Sequence, residues 1–157
     1  MATSSSQNTP LDDALARQNA GDLKGAEAGF KAVLKQDENQ PDALILLGML
    51  LQKTGRARAA APMIERAIGS TRARGSQPDP SWRVALAFAR RDTGDFDGAL
   101  AEIEALLSLS PGHAELLFIK AGLLQRAGRH EDAIVALNAL LERDPRSARA
   151  WNSLGMS

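Results

Sequence analysis

Apolar residues recur along this chain at intervals of three and four, with polar residues between them. Residues at these intervals share one face of an α-helix, so the pattern predicts amphipathic helices. No stretch shows the strict alternation that is typical of a half-buried β-strand. We predict four helix pairs and the start of a ninth helix near residue 147; the pairs are 10–20 with 24–36, 41–54 with 57–72, 80–92 with 96–109, and 113–127 with 130–142.

Four glycines, Gly21, Gly55, Gly94 and Gly128, fall between the two helices of each pair, at separations of 34, 39 and 34 residues. Glycine adopts the positive φ that a tight turn after a helix requires. Each glycine is followed five residues later by alanine and nine residues later by a large apolar residue: Ala26 and Phe30, Ala60 and Ile64, Ala99 and Ile103, Ala133 and Leu137. A fixed period of this length indicates a repeat protein, in which each unit packs on the next.

Other residues occupy fixed slots in the same period: Leu44, Leu47, Gly48 and Leu51 before Gly55, Pro111 and Pro145 at the ends of two units, and Trp151, Leu154 and Gly155 at the start of another. Together these slots resemble the tetratricopeptide repeat, whose signature is W-x-x-L-G-x-x-Y, then A-x-x-x-F, alanine and proline. The resemblance covers residues 7–157. It implies an all-α fold, a right-handed superhelical solenoid of antiparallel helix pairs.

We expect a disordered polar tail over residues 1–9 and a single repeat domain over residues 10–157. The repeats cover approximately 7–40, 41–74, 80–113 and 114–147, with a partial fifth repeat at 148–157. Five residues depart from the signature: Arg83, Arg90 and Lys120 stand in apolar slots, and Glu38 and Arg72 stand where the closing proline is usual. We expect these departures to affect local packing and not the fold.

The separation of 39 residues indicates a five-residue insertion at 75–79, in a segment rich in glycine and proline. One interpretation is a tolerated surface loop. The other is that Arg72, Arg74 and the loop form the rim of a binding site. Pro62 falls about one turn into its helix, so we expect it to remove one backbone hydrogen bond or to delay the start of the helix.

The net charge of the 157 residues is zero, which argues against general nucleic-acid affinity. The charges are unevenly distributed, however. Nine basic residues and two acids occupy 53–91, whereas six acids and no lysine or arginine occupy 92–115. One interpretation is a set of solvated helix faces. The other is binding of a polar partner, or head-to-tail self-association of the two segments.

The sequence predicts no cofactor, no metal site and no enzymatic activity. Cysteine is absent, which excludes disulfides and thiolate metal sites. The two histidines, His113 and His130, have no neighbouring residues at metal-ligand spacing, and no glycine-rich phosphate loop is present. The acids around Gly94 lack the twelve-residue pattern of a calcium loop, so turn and cap roles suit them better.

The N-terminal residues show no secretory signal, and no apolar run could span a bilayer. The prediction is therefore a cytoplasmic protein with neither membrane nor nucleic-acid partners. Residues 148–157 begin a repeat whose second helix is missing. Three explanations remain open: a fragment of a longer protein, a lone capping helix, or a homodimer through the C-terminal helix.

In tetratricopeptide repeat proteins the first helix of each pair lines a concave groove, and this resemblance implies a set of groove slots. In this chain they include Ile45, Met49, Gln52, Lys53, Val84, Phe88, Arg91, Phe118, Gln125, Arg126 and Asn152. The set combines apolar residues with cationic and amide groups, which suits an extended or helical peptide with apolar anchors. The alternative is that Phe88 or Phe118 only packs between helices.

The leading functional interpretation is a protein–protein interaction scaffold that binds a peptide or protein segment in this groove. A second is the non-catalytic N-terminal repeat region of a larger enzyme, such as a bacterial transferase or oxygenase, where it would dock substrate or dimerise the enzyme. A third is a self-associating structural protein, motivated by the uneven charge and the incomplete fifth repeat.

Overall fold

A computed structural model describes residues 9–155 of the chain. The described part consists of helices connected by turns and divides into two compact units at Pro78 and Asp79. Unit 1 contains α1 (Pro10–Asn19), α2 (Leu23–Gln36), α3 (Pro41–Lys53) and α4 (Ala57–Ala73). Unit 2 contains α5 (Pro80–Asp92), α6 (Phe96–Leu109), α7 (Ala114–Arg126), α8 (His130–Arg143) and α9 (Ala148–Leu154). The predicted all-α fold is confirmed, whereas the tail expected over 1–9 lies almost wholly outside the described residues.

The turn within each helix pair has the same construction in all four cases. Three residues separate the helices, and the middle one is the glycine of the repeat, with φ between 75° and 87°. In the first turn, the Asp22 N–H donates to the Arg17 carbonyl at 2.9 Å, and the Gly21 N–H donates to the Gln18 carbonyl at 3.1 Å. This pair of bonds satisfies carbonyls at the end of α1 that have no partner within the helix. The recurring turn therefore sets the antiparallel pairing.

Small residues allow the two helices of each pair to approach closely. The alanines and large apolar residues of the repeat slots are fully buried: Ala26, Phe30, Ala60, Ile64, Ala99, Ile103, Ala133 and Leu137. Gly48 shows how close the approach is, because a β-carbon added there would lie 2.6 Å from Cγ1 of Ile64. Consecutive pairs also pack within each unit, through α2 with α3, α6 with α7, and α8 with α9.

The five-residue insertion is divided between a helix and a loop. The second helices α2, α6 and α8 each have 14 residues, whereas α4 has 17. The connection after α4 has six residues, compared with four after α2, α6 and α8. Three of the inserted residues therefore lengthen α4 and two lengthen the connection, so the prediction of a loop alone was incomplete. Pro62 lies inside α4, which continues without a break from Ala57 to Ala73.

The turn between α2 and α3 is stabilised by side chains of α4 and of the residue that follows it, Arg74, instead of the closing proline. Nη2 of Arg66 donates to the Glu38 carbonyl at 2.7 Å, and Nη2 of Arg74 donates to Oδ2 of Asp37 at 2.7 Å. Ser70 and Arg74 both donate to the carbonyl of Asn39. The Glu38 departure from the signature is thus accommodated by hydrogen bonds from the neighbouring helix.

Two further departures, Arg83 and Arg90, share one counter-ion in unit 2. Nη1 of Arg83 lies 2.8 Å from Oε2 of Glu102, and Nη1 of Arg90 lies 3.3 Å from Oε1 of the same carboxylate. The arginines belong to α5 and the glutamate to α6. An ion-pair network therefore joins α5 to α6 at positions where apolar side chains are usual.

Candidate functional site

Helical spacing places the candidate residues of α5 on one face of that helix. Val84, Phe88 and Arg91 follow one another at intervals of four and three, and all three are half-buried. The guanidinium carbon of Arg91 lies 4.8 Å from the centroid of the Phe88 ring, and Nε of Arg91 donates to Oδ1 of Asp92 at 2.8 Å. This face of α5 therefore presents a cation–π pair whose charge is already balanced.

A second cation–π pair lies between α7 and α9. The guanidinium carbon of Arg149 is 4.3 Å from the centroid of the half-buried Phe118 ring, and Nη2 of Arg149 donates to Oε2 of Glu115 at 2.8 Å. Val84 and Phe118 both pack at the margin of the unit 2 core. Phe118 therefore packs between helices with part of its ring and keeps another part accessible, so the two interpretations of this residue are compatible.

A second contact joins α7 to α9 seven residues further along α7. Nε2 of Gln125 donates to the backbone carbonyl of Ser153 at 3.1 Å. Its neighbour Arg126 is exposed and makes no hydrogen bond or ion pair with any described residue, and the same holds for the side chain of Asn152. The face thus combines fixed contacts at Phe118 and Gln125 with unengaged polar groups beside them.

These residues define the first-helix surface of unit 2: Val84, Phe88, Arg91, Glu115, Phe118, Gly122, Gln125, Arg126, Arg149 and Asn152. The prediction did not anticipate the role of Ser153 or the pairing of Arg149 with Glu115. The repeat length offered a signal for that pairing, because residues 115 and 149 are 34 apart and so occupy the same slot in consecutive repeats.

The four candidate residues of unit 1 lie on α3 with different degrees of exposure. Met49 is 49 % exposed, Lys53 is exposed and Gln52 is half-buried. Ile45, in contrast, is only 4 % exposed. Its side chain belongs to the core and is not part of the candidate surface. A slot on a helix fixes the direction of a side chain but not what covers it.

The acids of residues 92–115 are neutralised inside unit 2. Each lies within 4 Å of a basic side chain: Asp92 with Arg91, Asp95 with Arg90, Asp97 with Arg129, Glu102 with Arg83 and Arg90, Glu104 with Lys120, and Glu115 with Arg149. The acidic run in the sequence therefore does not become an unpaired acidic surface. This arrangement favours the interpretation of solvated helix faces.

Both histidines lie at the N-terminal ends of helices. Nδ1 of His113 accepts from the backbone N–H of Leu116 at 3.4 Å as the N-cap of α7, and His130 is the first residue of α8. Within residues 9–155, no group of three or more His, Cys, Asp or Glu side chains could hold a metal ion. None of the described helices combines the length and apolar character that crossing a membrane requires.

A cleft of about 240 Å³ adjoins the Phe118–Arg149 pair, at the junction of α7, α8 and α9. Ala114, Glu115, Leu140, Asp144 and Ser147 also line it. Its volume falls below the range of roughly 300–1,000 Å³ that is typical of small-molecule sites. The first-helix surface is therefore better suited to side chains of a larger partner than to an enclosed ligand.

Family models described as tetratricopeptide repeat match residues 11–80, 45–114 and 90–156. The chain belongs to the tetratricopeptide repeat family. Solved tetratricopeptide repeat structures agree with this fold. MamA aligns with a TM-score of 0.79 at 21 % identity, over 94 % of this chain and 78 % of its own. YrrB, described as a TPR protein with an unusual peptide-binding site, aligns with a TM-score of 0.74 at 20 % identity, over 94 % of this chain and 73 % of its own.

One curated relative is the cellulose synthase operon protein C of Xanthomonas axonopodis pv. citri (strain 306). It is 35 % identical over 127 residues, which cover 79 % of this chain and 8 % of that protein. The chain thus spans less than a tenth of this relative's length. Tetratricopeptide repeat proteins are generally non-catalytic, and membership of this family supports a protein-interaction scaffold as the class of function.

Proposed function

We propose that this chain binds a peptide or protein segment on the first-helix surface of unit 2. The observation that carries the proposal is the pair of arginine-over-phenylalanine contacts, Arg91 on Phe88 and Arg149 on Phe118. Aromatic and arginine side chains are the types most often found at the energetic centres of protein interfaces. Here they remain partly accessible on neighbouring first helices of one unit.

The contacts around these rings keep them in position before binding. Arg149 is fixed by Glu115 and Arg91 by Asp92, so each guanidinium covers its ring without further ordering. A surface that is ordered in advance loses less conformational entropy when a partner binds. An apolar side chain of the partner would pack on the free edge of the ring, and polar groups of the segment would meet the surrounding amides and guanidinium groups.

The proposal also covers α3 of unit 1. There Met49, Gln52 and Lys53 form an accessible set of apolar, amide and cationic side chains. A flexible methionine beside a lysine suits an apolar anchor with a nearby acidic group. These residues are proposed as a separate contact region within their own unit.

A selection from a random dodecapeptide library, followed by fluorescence polarisation with the selected peptides, tests the proposal. We expect Phe118→Ala, and the double variant Phe88→Ala with Arg91→Glu, to weaken binding at least tenfold, about 1.4 kcal/mol. Val135→Ala on α8 is the matched control, because Val135 is 68 % exposed and lies outside the first-helix surface. Circular dichroism should show unchanged helicity. Equal affinity of all three variants would refute the proposed surface.

The curated relative suggests a second candidate function, in a cellulose-producing system. The supporting observation is the 35 % identity to a cellulose synthase operon protein over most of this chain. Deletion of the gene in the source organism, with cellulose quantified after acid hydrolysis, tests this candidate. Unchanged cellulose in an organism that produces it would exclude the role.

A further inference from the structure

Gly122 lies on the first-helix surface of unit 2, in the C-terminal half of α7. Phe118 precedes it by four residues and Gln125 follows it by three, so the three residues share one face. Glycine in a helix interior is destabilising compared with alanine. Gly122 has no positive φ, and a β-carbon added there would meet no atom within 4 Å. Neither the backbone nor the packing of the described protein therefore requires glycine at this position.

Three other helical glycines have an explanation that Gly122, like Gly69 of α4, lacks. At Gly48 a β-carbon would lie 2.6 Å from the side chain of Ile64, so the crossing of α3 and α4 requires a small residue. At Gly25 and Gly98 it would lie about 2 Å from the carboxylate that caps the helix, at 2.0 Å from Asp22 and 2.2 Å from Asp95. The space in front of Gly122 is open instead.

The contacts between α7 and α9 lie on both sides of this open space. Arg149 contacts Phe118 and Glu115 near the start of α7, and Gln125 donates to Ser153 near its end. Gly122 lies between these two points along α7 and contributes no side chain there, and the space at its β-carbon position is open. The result is a recess, which we define by Phe118, Gly122 and Gln125.

The charge beside the recess is positive and unbalanced. Arg91, Glu115 and Arg149 are each engaged in an ion pair. Arg126 follows Gly122 by four residues, is exposed, and has no hydrogen bond or ion pair to any residue between 9 and 155. A partner that places a carboxylate here would gain a counter-ion without breaking an existing pair.

We propose that the recess at Gly122 receives an apolar side chain of a bound peptide, and that Arg126 binds a carboxylate adjacent to it. The partner is thus an acidic segment with an apolar anchor. This inference rests on the proposed function and adds to it the residue that determines specificity. It also explains why glycine stands at position 122, since any β-carbon there would occupy the space that the anchor needs.

Gly122→Ala separates the effect on folding from the effect on binding. The added methyl should raise the melting temperature by about 1–4 °C, because alanine is the better helix former and meets no neighbour. The same variant should bind the selected dodecapeptides at least tenfold more weakly, as measured by fluorescence polarisation. Gly69→Ala is the matched control: Gly69 lies inside α4, is exposed, and has nothing within 4 Å of an added β-carbon. It should raise the melting temperature similarly and leave binding unchanged.

The charge is tested by Arg126→Glu, with Arg58→Glu as the control for the same change at an exposed arginine of α4. Arg126→Glu should bind the selected peptides at least tenfold more weakly. The selected peptides should share an apolar residue with Asp or Glu next to it. Replacing that acid by its amide in a synthetic peptide should remove the difference between wild type and Arg126→Glu.

The outcomes distinguish the inference from the proposed function. If Phe118→Ala weakens binding while Gly122→Ala binds as tightly as Gly69→Ala, the recess does not receive the peptide's apolar side chain. The proposed binding surface would still stand. If the peptides show no acidic preference and tolerate Arg126→Glu, the charge assignment is overturned. If no peptide is selected, or if binding also tolerates Phe118→Ala, both the proposed function and the inference fail.

Discussion

Replacing Glu102 by glutamine should destabilise unit 2, because one carboxylate neutralises two arginines of α5. Glu102 is 15 % exposed, and its partners Arg83 and Arg90 are 26 % and 23 % exposed. Glutamine keeps the shape but removes the charge. Arg90 retains the Gly98 carbonyl at 3.1 Å and Asp95 at 3.9 Å, so the loss falls mainly on Arg83.

Removing one partner of a fully buried ion pair costs about 3–5 kcal/mol. Partial exposure lets water replace some of the lost interaction, so we expect about 2 kcal/mol for Glu102→Gln. For a chain of this length that loss lowers the melting temperature by about 4–8 °C. Urea titration and thermal melting followed by circular dichroism would measure both quantities.

Glu104→Gln is the matched control on the same helix. Glu104 is 55 % exposed and pairs with Lys120 at 2.9 Å, so its loss should cost only about 0.2–1 kcal/mol. Equal losses for the two variants would refute the view that burial gives the Glu102 network its importance. Replacing Arg83, Arg90 and Glu102 together by leucine should be neutral or stabilising, because the apolar slots of the repeat would be restored.

Three other results are expected. Pro62→Ala should stabilise the protein by up to about 3 kcal/mol, because proline inside α4 removes one helical hydrogen bond, whereas Pro41→Ala at the first position of α3 should change stability little in the same urea titration. The Arg56 guanidinium, and then Lys31, lower the pKa of Glu27 from 4.5 to about 2, so the ionised carboxylate stabilises the fold above pH 4.5 and this contribution is lost as the pH falls toward 2. The free energy of unfolding of the wild type should therefore exceed that of Glu27→Gln by about 1 kcal/mol at neutral pH, and this difference should disappear below pH 2; a difference that does not change with pH would contradict this. Sedimentation at low and high salt should give the same mass, because the acids of 92–115 are already paired, and a salt-dependent decrease in mass would contradict that reasoning.

The helices were predictable because their signals are local. The glycine of each pair requires positive φ, and the alanine and large apolar residue that follow it lie on one helix face, so turn and core position could be read from spacing alone. The division of the insertion between α4 and the connection after it could not be predicted, because residues 70–75 contain both helix formers and a glycine. Only the packing of Ser70 and Arg74 against the preceding turn shows that the helix continues to Ala73.

The candidate surface was predictable in direction but not in its contacts. The slots placed Phe88, Phe118 and Arg126 on first helices, and their part in binding stays a prediction. Spacing within one helix does not reveal a partner on another, so the contact between Arg83 and Glu102, 19 residues apart, was not anticipated. Ile45 shows the same limit, because its slot predicted an accessible side chain and the structure covers it.

The contrast between the basic and acidic segments of the sequence has a different meaning once the helices pack. Consecutive helices bring acids of α6 beside cations of α5 and α7, as in the pairs of Glu102 with Arg83 and Glu104 with Lys120. Charge that is separated along the chain is therefore neutralised across helices, and self-association through the two segments loses its supporting observation. Arg126 remains on the first-helix surface of unit 2 as a cation without an ion pair to any residue that the structure describes. Since neighbouring charges are balanced, the local preference for an acidic partner depends on this single side chain, which is why one substitution can test it.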